Sequence, residues 1–115
     1  MKRVLIIDDI RNATRSADAA DANDILFDHD DQVIICRDFF SGLACLQHLP
    51  PFDLLLLDRD LGSFDGGQEK TGEDILTWLH SNPGQIPAEI RIVSANIIRR
   101  PAMELSAHQL MSLKP

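Results

Sequence analysis

The sequence has little of what marks secreted, membrane or nucleic-acid-binding chains. Only two of its 115 residues are cysteines, Cys36 and Cys45. They sit in apolar contexts with no CxxC spacing, which reads as reduced, buried thiols rather than a disulfide framework. No apolar run approaches the ~18–20 residues that a membrane span needs. The basic start, Lys2-Arg3, is followed by only four apolar residues before Asp8 and Asp9 interrupt, too short for a signal peptide. A cytoplasmic protein without a membrane segment is expected. Positive charge is also scarce: the formal net charge is −7. Duplex nucleic acid is therefore not an expected partner, because binding phosphate backbones needs concentrated Lys and Arg.

What is present describes one ordinary domain spanning 1–115. At 44% hydrophobic and 25% charged residues, the chain is far from disordered composition and long enough to bury a core without metal or disulfide staples. Charge is uneven along it. Asp8, Asp9, Asp18, Asp21, Asp24, Asp28, Asp30 and Asp31 crowd the first third, whereas Arg91, Arg99, Arg100 and Lys114 face Glu104 alone near the end. That basic excess suits one phosphate group rather than a nucleic acid.

Short apolar runs alternate with helix-period segments. VLII (4–7), QVIIC (32–36), DLLLL (53–57) and IRIV (90–93) are strand-length and apolar on both faces, as strands inside a parallel sheet are. Between them, 11–26 carries Ala13, Ala17 and Ala20 on one helical face. Residues 39–49 group Phe39, Leu43, Leu46 and Leu49 ahead of Pro50-Pro51, and 72–80 group Ile75, Leu76 and Leu79. The order βαβαβαβ predicts an α/β fold: a flavodoxin-like open parallel sheet of four or five strands, order 2-1-3-4, with helices on both faces. The longest irregular stretch is the Gly-rich loop 62–71. The tail leaves two alternatives. A helix entered at Arg99-Arg100-Pro101, with Met103, Ala107 and Leu110 inward, runs to Leu113; or it stops near His108 and QLMSL (109–113) forms a fifth strand.

In an open parallel sheet, ligands bind outside the carboxyl ends of the strands. That rule puts Asp8 and Asp9 past the first strand, Asp58 and Asp60 past the third, and Ser94 past the fourth. A single Asp after a strand is more often a cap or turn former. A DD pair and a DxD at one edge of one sheet are a stronger signal. Close carboxylates repel unless a cation lies between them, and an all-oxygen donor set with a phosphate nearby suits Mg²⁺. The expected metal ligands are Asp8, Asp9, Asp58 and Asp60.

VLIIDD, LLLLD and IVSA together resemble the receiver domain of two-component response regulators, over essentially the whole chain. The resemblance implies that Asp8 and Asp9 hold Mg²⁺, that Asp58 accepts a phosphoryl group, and that Ser94 bonds its oxygen. A receiver also has Lys then Pro after its fifth strand, which would match Lys114-Pro115; the interval from Ser94 is slightly short and a final helix is absent. DRDLG (58–62), TGEDILTWL (71–79) and SANIIRRPAM (94–103) are similar, more specifically, to the cyclic-phosphate processing receiver-like domains. Members of that family are expected to act on cyclic phosphate ends of nucleotides. Its histidines fall at Arg59 and Val93 here. Arg59 retains phosphate-binding chemistry, whereas Val93 cannot transfer a proton.

FDHDD (27–31) precedes a strand, so it belongs at the opposite sheet edge as a solvated loop. His29, His48, His80 and His108 lack metal-ligand spacing, and Trp78 is expected in core or interface. SFDGGQEKTG fails the P-loop spacing. Thr71 instead caps a helix starting near Gly72, with Asp74 completing a capping box. Asn96 and Arg99 are expected phosphate contacts, Arg100 a solvated neighbour.

Three functions follow as expectations. The first is a Mg²⁺-dependent receiver that takes or holds a phosphoryl group at Asp58, with Ser94 and Lys114 contacting its oxygens. Such a receiver implies a histidine kinase or other phosphodonor, and a partner protein to carry the output. The second is an enzyme processing a cyclic phosphate in the same crevice, held by Asn96 and Arg99. The third is a pseudo-receiver, a protein-interaction module whose acids do no chemistry.

Overall fold

The computed structural model describes residues 1–9, 31–94 and 96–115. The expected helix over 11–26, and most of FDHDD with His29, lie outside the described residues. β1 (Arg3–Ile7), β2 (Gln32–Cys36), β3 (Leu54–Leu57) and the later strand β6 (Glu89–Ile92) form one parallel sheet in the order β2-β1-β3-β6. This is the predicted order, with β6 in the fourth place.

β3 is fully buried because its side chains serve two apolar layers. Leu55 and Leu57 join Leu5 and Ile7 in the larger cluster, while Leu54 and Leu56 join Val4, Ile6 and Val93 in the smaller one. This period-2 alternation explains why four consecutive leucines are needed. The outer strand β2 departs from the expected two-sided burial: Val33 and Ile35 remain 38% exposed.

Helices α1 (Phe39–His48), α2 (Gly72–Ser81) and α3 (Arg100–Leu113) all contribute to the larger cluster, through Leu46, Leu76, Leu79, Met103, Ala107 and Leu110. Asp38 caps α1 by accepting the Ser41 N–H at 2.8 Å. The predicted capping box starts α2: the Thr71 hydroxyl accepts the Glu73 N–H at 3.1 Å, and Asp74 accepts the Thr71 N–H at 2.8 Å. Trp78 packs against the core from α2.

The structure settles the two alternatives for the tail and corrects one expectation. The fifth strand at 109–113 does not form: these residues continue α3, whose Met103, Ala107 and Leu110 spacing keeps one stripe buried through the last turn. The loop 62–71 is not irregular either. β4 (Ser63–Asp65) and β5 (Gln68–Lys70) pair antiparallel across Gly66-Gly67. Both glycines have positive φ, +57° and +87°, as a two-residue type I′ turn requires.

No helix among the described residues is long and apolar enough to cross a membrane.

Gly72 marks a tight joint between α2 and the end of β3. A Cβ there would lie 2.2 Å from the Asp58 carbonyl oxygen and 3.0 Å from Met103 Cε, whereas one at Gly84 would meet nothing within 4 Å. Gly72→Ala is expected to cost about 1–3 kcal/mol of unfolding free energy, and Gly84→Ala less than about 0.5 kcal/mol. Urea denaturation of both variants measures the contrast.

Candidate metal centre

The acids are brought together by strand register. Ile7 pairs with Leu57 and with Cys36, and Leu57 pairs with Ile92, so all four strands of the sheet end level. The ladder runs one residue further: the Asp8 N–H donates to the Cys36 carbonyl and the Asp58 N–H to the Ile7 carbonyl, both at 3.0 Å. Neighbouring backbone bonds therefore hold the two acids side by side at the sheet edge. Asp9 follows directly on Asp8, and oxygens of Asp8, Asp9 and Asp58 all lie within 4.8 Å of one another. Gly62, at φ +59°, turns the chain beside Asp9, where a Cβ would sit 3.5 Å from its Oδ2.

Asp8 and Asp58 are buried. Burial pushes the Asp58 carboxyl above its ordinary pKa, and the negative charge of Asp8 pushes it further. The Ser94 hydroxyl and the backbone N–H groups of Asp60 and Arg59 act in the opposite sense by hydrogen bonding to its charged form. The Ser94 oxygen also accepts the Asn96 N–H at 3.0 Å.

This donor set fits a hard divalent cation. Three carboxylates with no nitrogen or sulfur among them match Mg²⁺-like or Mn²⁺-like ions, and a positive charge between them would offset both the repulsion and the burial at Asp58. Asp8, Asp9 and Asp58 are the residues that would hold it.

Asp60 stands apart from the cluster. Its side chain accepts from Arg59 Nη1 at 2.7 Å and lies 3.5 Å from Asn96 Nδ2. Lys114 is not brought there either. It follows the last turn of α3, about 20 Å along the helix from Arg100 at a rise of 1.5 Å per residue. Asn96 and Arg99 do reach the site's margin, on the turn leading into α3. Asn96 Oδ1 accepts the Arg99 N–H at 3.1 Å.

Residue spacing gives no hint of what Arg59 and Arg99 hold. Glu73, in the first turn of α2, accepts Arg59 Nε at 2.6 Å and Arg99 Nε at 3.0 Å, and also pairs with Arg99 Nη2. One carboxylate thus bridges two guanidiniums beside the acidic cluster. The hydrogen bonds from Arg99 and Arg59 hold its pKa down at about 2 despite partial burial. An acid in the first turn of a helix is the one signal in the sequence; its partners, 14 and 26 residues away along the chain, are not visible there.

The described histidines lie elsewhere. His80 meets Ser106 Oγ at 3.2 Å, tying α2 to α3, His48 closes α1 and His108 lies on α3. Val93 is buried in the smaller apolar cluster. A groove of about 560 Å³ between β6 and α3 is lined by none of Asp8, Asp9 and Asp58.

A family model described as "Cyclic-phosphate processing Receiver domain" matches residues 3–109. The fold is similar to that of the Mn²⁺-bound form of response regulator Rcp1, with a TM-score of 0.64 and 21% identity over 96% of this chain and 76% of that one. No curated protein matches the sequence.

The bridge at Glu73 generates a pH prediction. A carboxyl whose pKa is lower in the folded chain adds stability above its unfolded value, and that stability is lost as pH falls towards the folded value. Glu73→Gln is expected to cost about 1 kcal/mol at pH 7, the scale of partly exposed ion pairs. Its stability should converge on that of the wild type as pH falls from about 4.5 towards about 2. Denaturation curves at pH 7 and pH 2.5 provide the check.

Proposed function

The chain belongs to the cyclic-phosphate processing receiver domain family, and from that footing we propose that it is a divalent-cation-dependent receiver that takes a phosphoryl group on Asp58. The observation that carries this reading is the buried Asp58 carboxylate, grouped with Asp8 and Asp9 and hydrogen-bonded by Ser94. Mg²⁺ is the proposed ion. When bound, it would offset the charge of the carboxylates and of the incoming phosphoryl oxygens.

The residues divide the work. An Asp58 carboxylate oxygen attacks phosphorus in line with the leaving oxygen, so one O–P bond forms as the other breaks and the leaving group departs with its electron pair. Ser94 exchanges its bond to Asp58 for one to a phosphoryl oxygen. Asn96 and Arg99, at the margin, are proposed to hold the remaining oxygens or the donor. Asp60 acts indirectly, by orienting Arg59 and Asn96. The phosphodonor is a histidine kinase or small acyl phosphate in the cytoplasm, and a partner protein reads the product.

The family match supports a second reading, opening of a cyclic phosphate in the same crevice. Its difficulty is proton transfer. Val93 is apolar and Arg59 stays protonated at neutral pH, so Asp58 would have to serve as the base. The first reading needs no such group.

Incubation with Mg²⁺ and acetyl phosphate is expected to add the mass of one phosphoryl group at Asp58. Asp58→Asn should remove that gain, and Asp8→Asn should weaken Mg²⁺ binding about tenfold or more, a loss of about 1.4 kcal/mol. Product release from a 2′,3′-cyclic nucleotide, abolished in Asp58→Asn, would instead establish the second reading. If wild type and Asp58→Asn behave alike in both assays, and Trp78 fluorescence ignores Mg²⁺, the chain is a pseudo-receiver.

A further inference from the structure

The two cysteines are free but not separate: Cys36 Sγ and Cys45 Sγ lie 3.5 Å apart. The packing that joins them is specific. Gly42 lets α1 settle directly on the end of β1, since a Cβ there would come within 2.6 Å of the Ile7 side chain. One turn further, on the same helical face, Cys45 meets Cys36 at the end of β2. The Asp38 cap and the bond from the Phe39 N–H to Ser63 Oγ, 3.0 Å, fix the start of that helix. The sulfurs are thus held in direct contact by elements that are fixed on both sides, the end of β2 and the body of α1.

Their environments differ in a way that suits sequential oxidation. Cys45 is half-buried and Cys36 is buried. The more accessible sulfur is therefore the one that meets an oxidant, and the buried one is the resolving partner.

We infer that Cys36 and Cys45 form a reversible redox modification site, closing to an intramolecular disulfide when the chain meets a hydroperoxide. The Cys45 sulfur attacks the peroxide oxygen, forming an S–O bond as the O–O bond breaks. The departing oxygen takes up a proton and leaves as water or an alcohol. The Cys36 sulfur then attacks Cys45, forming S–S as S–O breaks, and hydroxide leaves with the proton that Cys36 gives up. Two thiols lose two electrons in total and the peroxide gains them. A dithiol reductant reverses the change. The bond would tie α1 to the strand end whose Cys36 carbonyl holds the Asp8 N–H, next to the acidic cluster but independent of what that cluster does.

The test uses the whole chain, reduced, treated with hydrogen peroxide and then with iodoacetamide under denaturing conditions. The expected product has lost two hydrogens, takes up no alkyl group, and regains two alkylatable thiols after dithiothreitol. Trypsin cuts after Arg37, between the two cysteines, so the oxidised chain should yield two peptides held together by the bond. Cys36→Ser should instead trap a sulfenic acid at Cys45, detected with dimedone. Two alkyl groups on the peroxide-treated wild type, or only disulfide-linked dimers, would overturn the inference.

Discussion

Asp8 and Asp58 leave adjacent strands at the same level, and the fold holds them there against their mutual repulsion. The closeness is imposed by the backbone, because β1 and β3 pair in a register that aligns Ile7 with Leu57 and β3 is anchored in both apolar layers. Sliding that strand by one residue would exchange Leu55 and Leu57 for Leu54 and Leu56 across the sheet. The hydrophobic core therefore stabilises an arrangement of charges that would not assemble by itself in water.

Several features compensate for that imposed repulsion. Ser94 and two backbone N–H groups favour the charged form of Asp58, and Gly72 lets α2 approach the carbonyl of the same residue. Around this centre the charges alternate. Arg59 follows Asp58 and is held by Glu73 and Asp60, while Glu73 also holds Arg99. The outer ring is self-neutralised, whereas the inner carboxylates call for a cation. This division supports the proposed phosphoryl transfer, with the carboxylates that would hold a cation inside and guanidiniums at the rim.

Much of the plan is legible in the amino-acid sequence. Strand runs, their parallel order, the Thr71–Asp74 capping box and the grouping of Asp8, Asp9 and Asp58 follow from short-range pattern plus one topological rule. The hairpin at 63–70 carries a weaker signal: Gly66-Gly67 between two short runs suits a type I′ turn, but the polar strands lack an alternating apolar face. The tail is undecidable by pattern because QLMSL fits either a strand or the last turn of a helix. Burial of Leu110 along the stripe of Met103 and Ala107 settles it as helix.

Local chemistry in the sequence determined which residues could react: carboxylates after buried strands, a serine after another, a capped helix between. Tertiary structure decided which of them meet. Asp60, only two residues beyond Asp58, turns to Arg59 and Asn96 rather than joining the cluster, because the chain leaves the strand direction after the sheet ends. Lys114 is carried away by a helix where a strand would have returned it. Glu73 gains its two arginines across 14 and 26 residues, and such partnerships depend on how helices dock. Pattern along the chain has a range of a few residues; contact between distant charges is set by packing.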